Sequence, residues 1–411
     1  MFSVKNKARH FVFGFLLAIG LQIFSLFRNY PENPKCGRLI EPFGGLSVLI
    51  NCDSAVFMKD ADSPTRLLDG TSDYQDRPAH AFLISLILKL YRFLNLPDKE
   101  FNVTGLSGSQ YSYSAISYIL FVGFNLLVLT LAIYLITSMF TRIKLRETAS
   151  SKNLTLVTLL AVGILSANEL TKTFFWTPHS QMFNLLLPAA ACYLISTVKS
   201  LNMKNFLLAN LSILVTLFFY PAFAILMVIL LFAPVLNYIK RGFISGVFIL
   251  PYLLYPIVLN LFGGEYRNTA ILKFRQFVWV LDDMKDGDLL QNMVQNWKTF
   301  LLTFPIIPSI IVAILLLVLG LMNKKISLEH LKQSILSPVA LFIATYITYL
   351  YFIGFYSRRL TLGFIIFLEL LLIVHISRKL PLKRQRFTPW IVVIAGILIL
   401  ASWLFTSGPL V

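Results

Sequence analysis

Charged residues are scarce in this chain. They make up 13% of its 411 residues, while hydrophobic residues make up 57%. A soluble domain carries about 25% charged residues, so a water-soluble globular fold is excluded. Acids are scarcer than bases, 19 against 36, and the formal net charge is +17. On a soluble chain that excess would point to nucleic acid. Here the lysines and arginines sit in short loops flanking apolar runs, so the charge reads as membrane topology and no nucleic-acid partner is expected. No glycine-rich phosphate loop, metal-type Cys/His cluster, internal repeat or soluble nucleotide-binding domain is evident. Cysteine is nearly absent. Cys36 and Cys52 share one polar segment, which leaves a disulfide open in an oxidising compartment, and Cys192 falls in an apolar run.

What is abundant is long apolar sequence. Phe11–Phe27, Ser114–Phe140 and Phe300–Met322 carry almost no charge and are long enough to cross a bilayer as helices. Backbone groups in lipid must be satisfied within the segment, so helices are the expected spanning form. The expectation is an all-α polytopic membrane protein, one transmembrane domain over residues 1–411. The first span lacks a small-residue cleavage pattern and is expected to be retained.

Lys5, Lys7 and Arg9 place the N-terminus inside. Later spans are expected at about Leu154–Asn168, up to Val198, at Phe243–Phe262, up to Met322, at Pro338–Ile353, then a tenth, and at Trp390–Leu404. Phe206–Tyr238 is too long for one upright span, and Tyr220-Pro221 divides it into two short helices. His80–Leu96 is short and carries Lys89 and Arg92, so an amphipathic helix lying in the outer interface is expected. The sum is about eleven spans, with a large first outer loop at 28–113 and a second at 263–298. In that topology the polar chemistry gathers on the outer face, because 16 of the 19 acids fall there.

The segment Asn51–His80 concentrates six of them, Asp53, Asp60, Asp62, Asp69, Asp73 and Asp76. Asp53 opens DSAVFMKDA and suits a general base, or a group that stabilises developing positive charge. Tyr74–His80, YQDRPAH, sets Arg77 and His80 at headgroup level for an anionic phosphate, with Pro78 suited to a first helical turn. Glu169, Lys172 and His179 fall in a short outer loop around Trp176, and Thr177-Pro178-His179-Ser180 makes a polar helix start suited to an anion. Arg358 and Arg359 face outward against the positive-inside trend and suit a phosphate or pyrophosphate clamp. Glu265 and Arg267 form a weaker pair, and Asp282–Asp288 is an acidic run that suits a cation or plain solvation. Each of these also has a plain structural reading: solvated loop acids, headgroup contacts, an interfacial tryptophan anchor, and snorkelling arginines.

With DSAVFMKDA and YQDRPAH in hand, the pattern resembles the GT-C class of integral membrane glycosyltransferases. Members are polytopic, with a large first outer loop holding a catalytic acid beside interfacial helices. The first motif is similar to the Asp–aromatic–Ala element of bacterial members and the second to an Arg-Pro element before the next helix. Asp53 lies some 25 residues past the first span, farther than the class pattern, so Asp60 or Asp62 stay open for the catalytic role. The resemblance implies a polyprenyl-phosphate-linked sugar donor and a cell-envelope glycan, lipid or protein acceptor in contact with membrane lipid. It implies no cofactor and leaves a divalent cation open. It also implies the plasma (inner) membrane, with the site on the periplasmic or extracellular side. Two alternatives remain at this point. One is a transporter or flippase of lipid-linked saccharide, for which Glu369 is the one clear buried acid, with His375 six residues later near the inner end of the same helix. The other is an O-antigen-type polymerase or ligase.

Overall fold

The computed structural model describes residues 4–26, 38–40, 48–50, 52–104, 110–146, 151–272, 275–322, 337–379 and 388–405. The chain is mostly helical. Its first apolar run folds as α1 (Val4–Ser25). The polar segment that follows is partly structured by two short antiparallel hairpins, which an all-α expectation missed. β1 (Arg38–Ile40) pairs with β2 (Val48–Ile50), and β3 (Glu100–Thr104) pairs with β4 (Gln110–Ser114). Between them lie α2 (Cys52–Asp62), a 3-10 turn at Pro64–Leu67 and α3 (Pro78–Phe93). Pro78 occupies the first turn of α3, where its missing N–H costs nothing. Cys36 and the Cys52 side chain lie outside the described residues, and so do Lys324, Lys325, Lys383, Arg384 and Arg386 of the basic loops expected inside.

The apolar remainder follows as α4 (Ala115–Arg146), α5 (Ser151–Ser166), the short α6 (Glu169–Phe174) and α7 (Phe183–Thr197). Next come α8 (Met203–Leu217), a 3-10 stretch at Pro221–Leu226 running into α9 (Met227–Leu230), and α10 (Tyr238–Leu261). The break expected at Tyr220-Pro221 is present, since Pro221 starts the 3-10 stretch. The second polar segment, expected as a loop, is helical: α11 (Thr269–Leu272), α12 (Trp279–Asp286) and α13 (Leu289–Leu302). The reason is periodicity. Leu290, Val294, Trp297 and Leu301 recur at helical spacing on one exposed apolar face. The bundle closes with α14 (Ile306–Met322), α15 (Pro338–Phe352), α16 (Arg358–Lys379) and α17 (Thr388–Phe405).

Among the described residues, four helical stretches are long and apolar enough to cross a membrane: Ala8–Ser25, Ala115–Arg142, Ser180–Ser200 and Tyr238–Leu261. Leu289–Leu302 with Ile306–Leu316, bent by 85°, makes a fifth if taken as one span. Several other apolar helices, such as Met203–Leu217 and Pro338–Phe352, are shorter than a bilayer requires when upright. Leu253, Ile257 and Leu261 on α10 are exposed side by side, a surface suited to hydrocarbon. The chain is therefore mostly helical with four or five candidate membrane spans among the described residues, the pattern of a membrane protein.

The main core is built where α4, α7 and α16 pack together, with α1, α5, α14 and α17 around them. A smaller core around Phe57, Tyr113, Tyr118 and Phe121 sits beneath the first polar segment. The two polar segments are stitched together. Gln75 is fully buried and donates to the carbonyls of Leu67 and Glu265, both at 2.8 Å, while its carbonyl accepts from the Arg267 amide at 2.6 Å. Asp69 and Glu265 add a parallel β-bridge.

Candidate active site

Between these segments and the ends of α8, α10, α15 and α16 lies a cavity of about 470 Å³. Its walls carry three carboxylates, Asp53, Asp73 and Asp76, two guanidiniums, Arg77 and Arg359, and a set of tyrosines.

Asp53 sits in the first turn of α2, where the helix dipole favours a carboxylate. His179 Nε2 lies 3.2 Å from Asp53 Oδ2. The His179 tautomer follows from its other contact. Nδ1 accepts the Gln181 amide at 3.2 Å, so Nε2 carries the proton and donates to Asp53. The Tyr74 hydroxyl donates to the same carboxylate. Burial raises the Asp53 pKa, but the His179 and Tyr74 hydrogen bonds and the nearby Arg359 charge outweigh it, and the group is held well below the usual carboxylate range. His179 is pushed down to about 4, chiefly by burial, and the Arg359 and Arg77 charges push the same way against the opposing Asp53 carboxylate. At neutral pH the pair is thus an ionised aspartate held by a neutral imidazole. Asp53 keeps 37% of its side chain exposed, whereas His179 keeps 1%.

Aromatic stacking fixes the rest. Phe57, one helical turn after Asp53, stacks on Tyr74 with ring centroids 4.4 Å apart and packs against His179 at 5.1 Å. The Arg77 guanidinium lies 5.1 Å from the Tyr74 ring centroid and 5.8 Å from that of Tyr220. It bonds Ser180 Oγ at 3.0 Å and pairs with Asp76 at 3.3 Å. The turn bearing His179 is fixed from beneath by buried Asn125, whose amide donates to the carbonyls of Phe174, Phe175 and Thr177. Trp176, expected as an interfacial anchor, ties this turn to α1 by donating to Gln22 O at 3.0 Å.

Arg359 is the second residue of α16 and stands 5.6 Å from the Phe355 ring centroid. Its buried Nε has no hydrogen-bond partner among the described residues. A buried guanidinium N–H in a cavity wall, without a partner among the described residues, suits an anion. The turn delivering it depends on Gly354, which has φ +69° and lies hard against the Trp279 ring, so an L side chain there meets both strain and overlap.

The structure brings Asp53, Arg77, His179 and Arg359 to one site and leaves the other candidates elsewhere. Asp60 is fully buried and committed to Arg66 at 3.0 Å and Ser72 at 2.5 Å. Asp62 pairs with Arg92 at 2.8 Å on the surface. His80 is not open to an anionic phosphate. It is completely buried among Phe57, Phe121 and Phe124, because it lies on the inward face of α3. Arg358 and Arg359 do not form a clamp: Arg358 turns away and pairs with Glu169 at 3.2 Å, since adjacent helical residues face different directions. Lys172 goes with α17, donating to Trp403 O. Arg267 forms an exposed pair with Glu265. Asp282 is held by Arg275 at 2.8 Å, and no group of metal-ligating side chains occurs among the described residues.

Sequence reasoning missed the tyrosine wall of Tyr220, Tyr252 and Tyr349. The Tyr252 hydroxyl donates to Asp76 O at 2.9 Å and so ties α10 to the polar segment. It also passed over Phe277, which lines the cavity with a left-handed φ of +62°. Such a backbone is costly for a bulky residue and tends to cluster at binding sites. Compared with protein-family models, with curated proteins and with solved structures, the chain matches none.

Proposed function

We propose that the protein is a membrane glycosyltransferase of the GT-C type, with about eleven spans, which moves a sugar from a polyprenyl-phosphate donor to an envelope glycan, lipid or protein acceptor. On this reading it resides in the plasma membrane and works on the outer face. The observation that carries the reading is the single cavity shared by an ionised, oriented carboxylate and two guanidiniums.

The acceptor hydroxyl donates to Asp53, whose carboxylate lines the cavity. The hydroxyl oxygen attacks the anomeric carbon and forms the new glycosidic bond. The bond from that carbon to the phosphate oxygen breaks, the electron pair leaves with the lipid phosphate, and the hydroxyl proton passes to Asp53. A carboxylate with a depressed pKa is a weak base in the ground state, so the transfer is late, when the attacking hydroxyl has become acidic. Arg359 and Arg77 meet the charge that develops on the departing phosphate. Arg359 suits this role because its Nε has no partner among the described residues. The aromatic wall suits the faces of a sugar ring.

The experiment that tests this reading supplies the purified protein in vesicles with radiolabelled sugars linked either to polyprenyl phosphate or to a nucleotide diphosphate. Transfer to an endogenous acceptor extract is expected from the lipid-linked donors alone. Transfer only from nucleotide sugars, or from none of the donors while the protein is folded, refutes it.

A further inference from the structure

A second polar feature lies on the other side of α16. Arg358, Leu362, Ile366 and Glu369 recur at spacings of four, four and three residues, so they form one stripe along the helix. This stripe lines a narrow crevice of about 40 Å³ against the end of α5, α14 and α17. At 1.5 Å per residue, Glu369 lies about 16 Å deeper along the helix than Arg358. The shallow end is polar, with Asn168 and the Glu169–Arg358 pair. The deep end is a lone carboxyl.

Glu369 is 4% exposed and has no ion pair or hydrogen bond among the described residues. The walls facing it contribute Ile307, Pro308 and Ile311 from α14 and Ile399 from α17, none of them charged. Among the described residues, the only other titratable groups in the crevice are Glu169 and Arg358, and those two neutralise each other. Asn168 is also engaged, because its amide donates to Ile164 O and Leu165 O. A carboxyl isolated in an apolar interior is expensive and persists where it has a use. The crevice has room for a few water-sized particles and no more, which limits the ligand to something very small.

We propose that Glu369 is a proton-binding site, whose proton exchanges along this crevice from the Glu169 end. The site is distinct from the Asp53 cavity, which opens on the Arg359 side of the same helix, and it does not depend on the transferase reading.

The test uses the full-length protein in vesicles and dicyclohexylcarbodiimide, which modifies a membrane-embedded carboxyl only in its protonated form. Peptide mass mapping of the wild type assigns the adduct directly, so the result stands even where Glu369→Gln fails to fold. An adduct at Glu369 that fades as pH rises from 6 to 9, indifferent to Na⁺, supports the site with a proton as ligand. An adduct blocked by NaCl but not by choline chloride marks a metal cation in place of the proton and overturns the proposal. An adduct that does not change with pH or Na⁺ marks a permanently neutral carboxylic acid and overturns the proposal. The proposal is equally overturned if Glu369 is never modified in the folded protein yet is modified after denaturation.

Discussion

Arg358 and Arg359 are neighbours in sequence with opposite surroundings, and substituting each alone separates site chemistry from packing. In Arg359→Ala the cavity loses a guanidinium whose Nε is buried and without a partner among the described residues. A hydrogen bond to a charged group is worth about 1.5–3 kcal/mol. At about 1.4 kcal/mol per tenfold in rate, losing one such bond to a departing phosphate lowers kcat/KM by roughly 10- to 150-fold. The fold should be barely affected, because among the described residues the side chain packs on Phe355 and acts on Asp53 and His179 through its charge alone. Arg359→Lys should recover part of the rate, since charge returns without the planar fork. In Arg358→Ala the Glu169 carboxylate, 9% exposed, loses its ion-pair partner. Breaking a buried pair costs about 3–5 kcal/mol. Arg358 itself is 46% exposed, so solvent screening reduces this to about 1–2 kcal/mol. The expected result is a lower unfolding midpoint by tryptophan fluorescence in detergent, with near-normal kcat/KM below that midpoint. Equal loss of transfer in both variants, or an Arg359→Ala phenotype confined to stability, would refute the assignment.

His179 has a folded pKa of about 4, below its ordinary value of 6.5. The unfolded chain therefore takes up the proton first, and the stability this histidine contributes is complete above about pH 6.5 and lost as pH falls toward 4. Unfolding midpoints measured across that window should decline in the wild type and flatten in His179→Gln, whose carboxamide can still donate to Asp53. The same variant should retain more transfer than His179→Ala. Gln75→Ala removes two of the bonds joining the two polar segments, at about 1–3 kcal/mol for each buried group left unpaired. Amide hydrogen exchange at residues 265–267 should speed up well before the bundle opens, and unchanged exchange would sink the idea. Gly354→Ala should both lower the unfolding midpoint and slow transfer, because the turn it distorts delivers Arg359. A slowed reaction with an unshifted midpoint would count against that coupling.

The helical class, and Asn51–His80 as a segment that lines the cavity, were legible in the sequence for one reason. An acidic segment in an apolar chain has no packing role that explains it, and both Asp53 and Arg77 do line the cavity. His179 was a candidate, but its pairing with Asp53 spans 126 positions and no local pattern encodes it. The separation of Arg358 from Arg359 was readable in principle, since consecutive residues at a helix start point about 100° apart; reading them as a turn concealed it. His80 misled because its helix is amphipathic and its place on the buried face depends on Phe121 and Phe124 of α4. Tyr220, Tyr252 and Tyr349 were invisible as site residues, since a tyrosine within an apolar run looks the same whether it faces core, lipid or cavity.

The most direct test of the central claim is transfer from a radiolabelled polyprenyl-phosphate sugar by wild type and Asp53→Asn, compared at equal amounts of folded protein. Asparagine keeps the size of the side chain and removes the charge that takes the proton. The account predicts transfer by the wild type and loss of at least two orders of magnitude in the variant, in line with the rate contribution of about 10²–10⁴ from a general base, with the unfolding midpoint shifted little. Undiminished transfer by Asp53→Asn would contradict it.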